Sequence, residues 1–144
     1  EDVHVQPLCE SLIEEIKPRL ADSVTLTVNV PKVEVKLNKD YITYILRHLL
    51  NNAMEFTPSD GKITLEFKKR SPKTYQFLIT NTGAVIPEEK REDVFKPFLE
   101  IKDLTDGDGL GLPICKQMAL KINGDLDIDS AFTKGTRFVL NLHV

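Results

Sequence analysis

Two polar side chains interrupt an otherwise apolar helical pattern at residues 48–56 and could bind a metal ion and a phosphate group. His48 precedes Asn52 by four residues, so both side chains project from the same helical face. An amide oxygen is a hard donor that suits Mg²⁺, and an imidazole one turn away can hold a transferred group. An amide within an apolar helix is unfavourable unless something uses it. The spacing is equally consistent with two polar residues at the edge of a solvated helix face.

A glycine run at residues 107–111 could bind phosphate. Gly109 and Gly111 immediately precede and open a helical pattern, where unpaired backbone N–H groups and the positive end of the helix favour an anion. Glycines also serve ordinary loops, so this run alone is weak support for a site. The polar stretch 99–108 before it has the length and composition of a mobile lid, or of a solvated surface loop.

Apolar periodicity predicts the elements that must position these residues. A helical pattern at 8–20 has Pro18 in its last turn or at a kink, and Asn38 or Asp40 can cap a second helix that ends near Thr57. A third helix follows Leu110 and is predicted to end at Gly124, with the glycine in the left-handed conformation.

Alternating residues predict strands between these helices. The strands lie at 24–30 and 33–37, in a hairpin at 63–67 and 75–79, and at 126–128 and 138–142, and a short helix is predicted at 87–94. Helices interleaved with hairpins predict an α/β protein, a two-layer α/β sandwich with helices on one face of a mixed, mostly antiparallel sheet.

Composition indicates one globular domain spanning residues 1–144. The chain is 41% hydrophobic and 28% charged, and its net charge of −3 gives no electrostatic reason to expect a nucleic acid or a membrane surface as partner. It contains no apolar run near the roughly 20 residues that span a bilayer. Cys9 and Cys115 lie far apart without metal-ligand spacing, which predicts reduced, packed thiols.

Taken together with the turn 81–87, these clusters resemble the catalytic and ATP-binding domain of sensor histidine kinases, within the Bergerat-fold superfamily that also contains gyrase and MutL-type ATPases. The order of the clusters and the intervals between them carry the resemblance, which covers nearly the whole chain. Residues 3–20 resemble the segment that follows the dimerisation and phosphoacceptor helices in that family. The chain is therefore expected to be a fragment of a longer protein.

The resemblance implies a role for each matching position. Asn52 matches the asparagine that coordinates Mg²⁺, and His48 matches a residue near the γ-phosphate, so these two are the predicted catalytic residues. The residues predicted to bind ATP, besides Asn52, are Phe56, Asn81, Gly83, Val85, Phe95, Phe98, Gly107, Gly109, Leu110, Gly111 and Thr136.

Three positions depart from the family pattern. The first glycine box of the family is Asp-x-Gly-x-Gly, whereas this chain has Asn81 and Val85 at the first and last positions. Asn81 keeps an acceptor oxygen for the adenine amino group but loses charge assistance, and a β-branched side chain replaces glycine at position 85. Glu55 replaces a lysine or arginine and would repel phosphate, or it is an exposed residue with no role in the site. We therefore expect weakened nucleotide affinity.

The resemblance implies that the domain delivers the γ-phosphoryl group of ATP to a histidine on a separate dimerisation domain, with Mg²⁺ as the metal. The implied partners are the dimerisation and phosphoacceptor helices of the same kinase and the receiver domain of a response regulator. The full-length protein is expected to be a homodimer, with this domain in the cytoplasm and an anchor in the inner membrane.

Two alternatives stay open at this point. A signalling pseudokinase domain would keep the fold with weak or no nucleotide binding, and the departures at positions 55, 81 and 85 favour it. A serine kinase of the anti-sigma type would need a small protein substrate, and the segment 3–20 argues against it.

Overall fold

The computed structural model describes residues 2–20, 22–83, 111–129 and 131–144, and at Phe56 it describes the backbone. The elements within these ranges are β1 (Asp2–His4), α1 (Val5–Ile16), a short 3₁₀ helix (Lys17–Arg19), β2 (Thr25–Asn29), β3 (Glu34–Lys36), α2 (Lys39–Phe56), β4 (Lys62–Ser71), β5 (Thr74–Thr82), α3 (Gly111–Lys121), β6 (Gly124–Ile128) and β7 (Gly135–His143). The helix predicted at 87–94 lies outside the described residues.

Five strands form the main sheet in the order β2-β4-β5-β7-β6. The strands β2 and β4 run parallel, and the other neighbouring pairs are antiparallel. A separate two-stranded sheet pairs β1 with β3. The prediction of a mixed, mostly antiparallel sheet is confirmed.

The core lies between one face of this sheet and the helices. Alternate residues of the three central strands, β4, β5 and β7, are buried toward the helices, and they are Ile63, Leu65, Phe67, Phe77, Ile79, Phe138, Leu140 and Leu142. Apolar residues of α1, α2 and α3 belong to the same cluster, among them Ile13, Leu46, Leu50 and Cys115. The predicted two-layer α/β sandwich, with helices on one face of the sheet, is therefore confirmed.

Helix α2 begins and ends with local hydrogen bonds. The backbone N–H of Tyr41 donates to the Asn38 side-chain oxygen at 3.1 Å, so Asn38 rather than Asp40 is the cap. At the other end the Thr57 hydroxyl and backbone N–H both donate to the carbonyl oxygen of Ala53. The helix therefore holds His48 and Asn52 on a well-terminated, regular backbone.

The structure corrects the predicted termini of two helices. The pattern read as one helix over 8–20 is α1 up to Ile16 followed by a 3₁₀ turn, because Pro18 cannot continue the α-helical hydrogen bonding. The residue in the left-handed conformation after α3 is Asn123, with a φ of 61°, not Gly124. Gly124 is required for another reason, since a Cβ there would lie 2.2 Å from the backbone oxygen of Asn141.

Both cysteines pack in the core, as predicted. Cys9 and Cys115 are fully buried, and burial raises the pKa of each thiol to about 12. Among the described helices, none combines the length and apolarity needed to cross a bilayer.

Candidate functional site

Strand pairing brings the end of β5 and the beginning of β7 together at one end of the sandwich. Thr82 is the register partner of Gly135, and Asn81 is the partner of both Thr136 in β7 and Ile63 in β4. The connection from α2 leads directly into β4, so the carboxyl end of α2 lies at this end of the sheet as well.

Helix α3 also begins at this end. Its carboxyl terminus lies at the opposite end, where the Asn123 carbonyl oxygen accepts a hydrogen bond from the N–H of His143 at 3.0 Å. The helix axis therefore runs away from the end of β5, and Gly111, its first residue, is on the side of the molecule where β5 ends. The topology thus gathers parts of all three predicted clusters at one end of the molecule.

Like its neighbour Thr136, Asn81 is deeply buried. Its side chain faces the helices and the residue is 1% exposed, and Thr136 beside it is 2% exposed. The Asn81 Nδ2 donates to the carbonyl oxygen of Thr82 at 3.2 Å. Because the donor end of the amide is used in this way, the Oδ1 atom is the end that can accept a hydrogen bond from a ligand.

Two glycines shape the backbone around Asn81. Gly83 has a φ of 112°, a conformation that favours glycine, and its N–H donates to the carbonyl oxygen of Lys134 at 3.2 Å. At Gly135 a Cβ would lie 1.9 Å from the backbone oxygen of Asn81. Gly135 is not among the residues predicted from the sequence to form the site, although it directly precedes Thr136, which is.

His48 and Asn52 lie on the half-buried face of α2. The His48 ring packs against Tyr44, one turn earlier, with ring centroids 4.4 Å apart and an interplanar angle of 39°. Glu55, near the carboxyl end of the helix, is exposed. These side chains are therefore open to a ligand to a greater extent than Asn81 and Thr136.

A neighbouring stripe of α2 is joined to the end of α1 by polar contacts. Glu15 accepts two hydrogen bonds from Arg47, at 2.7 and 3.1 Å, and Arg19 donates to the Asn51 Oδ1 at 3.2 Å. The hydrogen bond from Arg47 lowers the pKa of Glu15, and the charges of Arg47 and Arg19 lower it further. The same ion pair raises the pKa of Arg47. We call these four residues the α1–α2 latch.

Several predicted site residues lie outside the described residues. They are Val85, Phe95, Phe98, Gly107, Gly109 and Leu110, together with the side chain of Phe56. Of the glycine run, Gly111 is described, as the first residue of α3.

The donor set at this end of the sandwich fits a nucleotide. A buried amide presents an acceptor of the kind an exocyclic amino group needs, and the Asn52 amide oxygen is a donor that suits Mg²⁺. In the described ranges no group of three or more His, Cys, Asp or Glu residues could hold a metal ion. A magnesium ion at Asn52 would therefore need further oxygen ligands from the phosphates of the nucleotide and from water.

Comparison with known proteins gives consistent results. Residues 37–144 match the family described as histidine kinase-, DNA gyrase B-, and HSP90-like ATPase. The adaptive-response sensory kinase SasA of Rippkaea orientalis (strain PCC 8801 / RF-1) is 31% identical over 148 residues, which cover 99% of this chain and 38% of that protein. The chain thus spans less than two fifths of that relative's length.

Solved structures show the same fold. The mycobacterial sensor histidine kinase MprB superposes with a TM-score of 0.87 at 26% identity, covering 99% of this chain and 96% of that one. The histidine kinase ThkA in its complex with the response regulator protein TrrA gives a TM-score of 0.83 at 20% identity, covering 99% of this chain and 41% of that one. With the family match over three quarters of its length, the chain belongs to the histidine kinase-, DNA gyrase B- and HSP90-like ATPase family.

Proposed function

We propose that this chain is the ATP-binding catalytic domain of a two-component sensor histidine kinase, which delivers the γ-phosphoryl group of ATP to a histidine on a separate dimerisation domain. The observation that carries the proposal is the arrangement at one end of the sandwich. Helix α2, which carries the half-buried His48 and Asn52, ends where the sheet buries Asn81 and Thr136. Family membership and the similarity to sensor kinases support it.

Each described residue has a proposed task. Asn81 accepts a hydrogen bond from the adenine amino group through Oδ1, and Thr136 lies beside the adenine edge. Asn52 coordinates Mg²⁺, and His48, one helical turn earlier, lies near the γ-phosphate. The N–H groups at the beginning of α3 favour the phosphates electrostatically. ATP supplies the phosphoryl group, and these residues bind and orient it.

We extend the proposal to partners and context. Residues 1–144 form one domain that acts on the dimerisation and phosphoacceptor helices of the same kinase, as part of a homodimer. The receiver domain of a response regulator is the downstream partner, an assignment suggested by the ThkA structure in complex with TrrA. The domain works in the cytoplasm, and the full-length protein is anchored in the inner membrane.

Calorimetric titration with ADP and with a non-hydrolysable ATP analogue, each with and without Mg²⁺, tests the proposal directly. We expect saturable binding that is tighter with Mg²⁺. A hundredfold excess of nucleotide over Kd should raise the free energy of unfolding by about 2.7 kcal/mol, which thermal melts can detect. Binding that is independent of Mg²⁺ would contradict the role of Asn52.

A signalling pseudokinase domain is the second candidate, and two described positions favour it. Asn81 is neutral where the family has an aspartate, and Glu55 reverses the charge of the usual lysine or arginine. No binding up to millimolar nucleotide, with thermal melts unchanged, would make this candidate the better description. The domain would then act by docking to its partner helices.

A further inference from the structure

We propose that Arg19 is a positioning residue for Asn52, acting through the neighbouring amide of Asn51. The inference rests on the proposed function, since Asn52 is the proposed Mg²⁺ ligand. It assigns a task in the nucleotide site to a residue of the 3₁₀ turn after α1, which none of the sequence clusters contains.

The α1–α2 latch consists of two contacts. Glu15 and Arg47 make a two-point contact in which both carboxylate oxygens accept hydrogen bonds. Arg19 lies one turn further along the chain and donates to Asn51, one turn after Arg47 on α2. Two contacts spaced by a helical turn on both segments join this stripe of α2 to the preceding segment at two points, and they add to the restraint on the rotation of α2 that its buried apolar face provides.

Core packing holds α1 in place on its side of the latch. Leu12, Ile13 and Ile16 of α1 are buried in the main core, and the exposed Glu15 lies at the edge of this buried face. The end of α1 therefore cannot follow a movement of α2 without disturbing core packing. Arg19 contacts α2 from a supported position although its own side chain is exposed.

On α2, the latch residue Asn51 is next in sequence to Asn52. Asn51 and Asn52 are consecutive residues of a regular helix, so holding the side-chain amide of Asn51 restricts the turn that carries Asn52. The hydrogen bond from Arg19 to Asn51 therefore favours a fixed Asn52 oxygen on the next residue.

The experiment compares Arg19→Ala with Lys17→Ala in the whole chain. Lys17 is a matched control, because it is an exposed cation of the same 3₁₀ turn whose ion pair, at 3.5 Å, is with Glu14 of its own segment. Arg19→Lys keeps the positive charge and a hydrogen-bond donor, so it should retain part of the contact with Asn51 and part of the positioning of Asn52. All three substitutions are at exposed positions and should leave the fold intact.

The first measurement uses the nucleotide-free protein and records the side-chain amide resonances of Asn51 and Asn52 by NMR. We expect Arg19→Ala to shift both amides and Lys17→Ala to shift neither. A shift confined to Asn51 would overturn the inference. This readout does not depend on nucleotide binding, so it decides the inference even if the parent chain binds no nucleotide and the proposed function fails.

The second measurement is the ratio of ADP affinities with and without Mg²⁺. We expect Arg19→Ala to reduce this ratio roughly threefold, while affinity without Mg²⁺ and the ratio for Lys17→Ala stay at parent values. An equal loss with and without Mg²⁺ would indicate a general structural effect and would contradict positioning of Asn52. An unchanged ratio in a parent chain that binds Mg-nucleotide would also overturn the inference.

Discussion

The two sides of the proposed site are built differently. On the sheet side, Asn81, Thr136 and Gly135 are buried, and the strands approach so closely that a single added carbon at position 135 would meet a backbone atom. On the helix side, His48 and Asn52 are half-buried and Glu55 is exposed. Substitutions on the sheet side must therefore change folding and binding together, whereas those on the helix side can change binding alone.

This contrast bears on how the departures from the family pattern are interpreted. Asn81 is compatible with its surroundings because its Nδ2 satisfies the carbonyl oxygen of Thr82. An aspartate cannot donate that hydrogen bond. The neutral residue therefore has a structural explanation that is independent of nucleotide affinity.

Gly135→Ala should have the largest effect. The new Cβ would lie 1.9 Å from the Asn81 backbone oxygen, so β5 and β7 must separate at the site, with a loss of about 3 kcal/mol or more in the free energy of unfolding. Urea denaturation measures the loss. Calorimetry on the protein that remains folded should show a large loss of nucleotide affinity.

Gly124→Ala is the matched control for this prediction. A Cβ there would lie 2.2 Å from the Asn141 backbone oxygen, at the opposite end of the sheet. We expect a comparable loss of stability with unchanged affinity in the folded fraction. Equal losses of affinity in both variants would mean that a disturbance at the far end of the sheet reaches the proposed site, and would contradict a local role for Gly135.

Asn81→Asp should have the next largest effect. A buried carboxylate would face the Thr82 carbonyl oxygen without a donor between them, and we expect a loss of about 1–3 kcal/mol in the free energy of unfolding without nucleotide. Adenine nucleotide should restore part of this stability, since its amino group supplies a donor.

Asn141→Asp on the other face of the sheet is a suitable comparison. The Asn141 Oδ1 already accepts a hydrogen bond from Gln76 at 2.7 Å, and an aspartate can still accept it. This variant should lose little stability. A similar loss in both variants would contradict the specific role of the Thr82 contact.

Sequence patterns predicted the main elements because their physical signals are local. The alternation in β4, β5 and β7 and the 3.6-residue repeat of α2 needed no tertiary information, and Asn38 was a recognisable cap. The register of β5 with β7 was not predicted, since pairing depends on distant segments. The close approach at Gly135 and the burial of Asn81 follow from that register and were not accessible from the sequence.

The same limit explains the missed and misassigned features. Strand β1 has three residues and exists through pairing with β3, 30 to 34 residues away, so no local pattern indicated it. The α1–α2 latch joins residues 32 positions apart along the chain. Either residue of Asn123-Gly124 could have adopted the left-handed conformation, and the proximity of Asn141 to Gly124 became visible only in the folded chain.

Glu55→Lys tests the helix side with a smaller effect. Because Glu55 is exposed and its interactions are screened by water, the free energy of unfolding should change by about 1 kcal/mol or less. The affinity for ADP with Mg²⁺ should rise roughly threefold as repulsion of phosphate is replaced by attraction. Glu14→Lys, the same charge change on the exposed face of α1, should leave affinity unchanged. A similar gain in both variants would indicate only the change in net charge.

The smallest effect concerns the α1–α2 latch and its dependence on pH. The hydrogen bond from Arg47 lowers the pKa of Glu15 in the folded chain, while in the unfolded chain Glu15 titrates near its ordinary value of about 4.3. The ion pair therefore contributes stability that is fully present above this unfolded pKa and is lost as pH falls through the lowered folded pKa.

The difference in unfolding free energy between the parent and Glu15→Gln, measured in urea from pH 6 downward, should be constant at first and then shrink. A pH-independent difference for Glu15→Gln would mean that the contact between Glu15 and Arg47 is held by hydrogen-bond geometry rather than by charge.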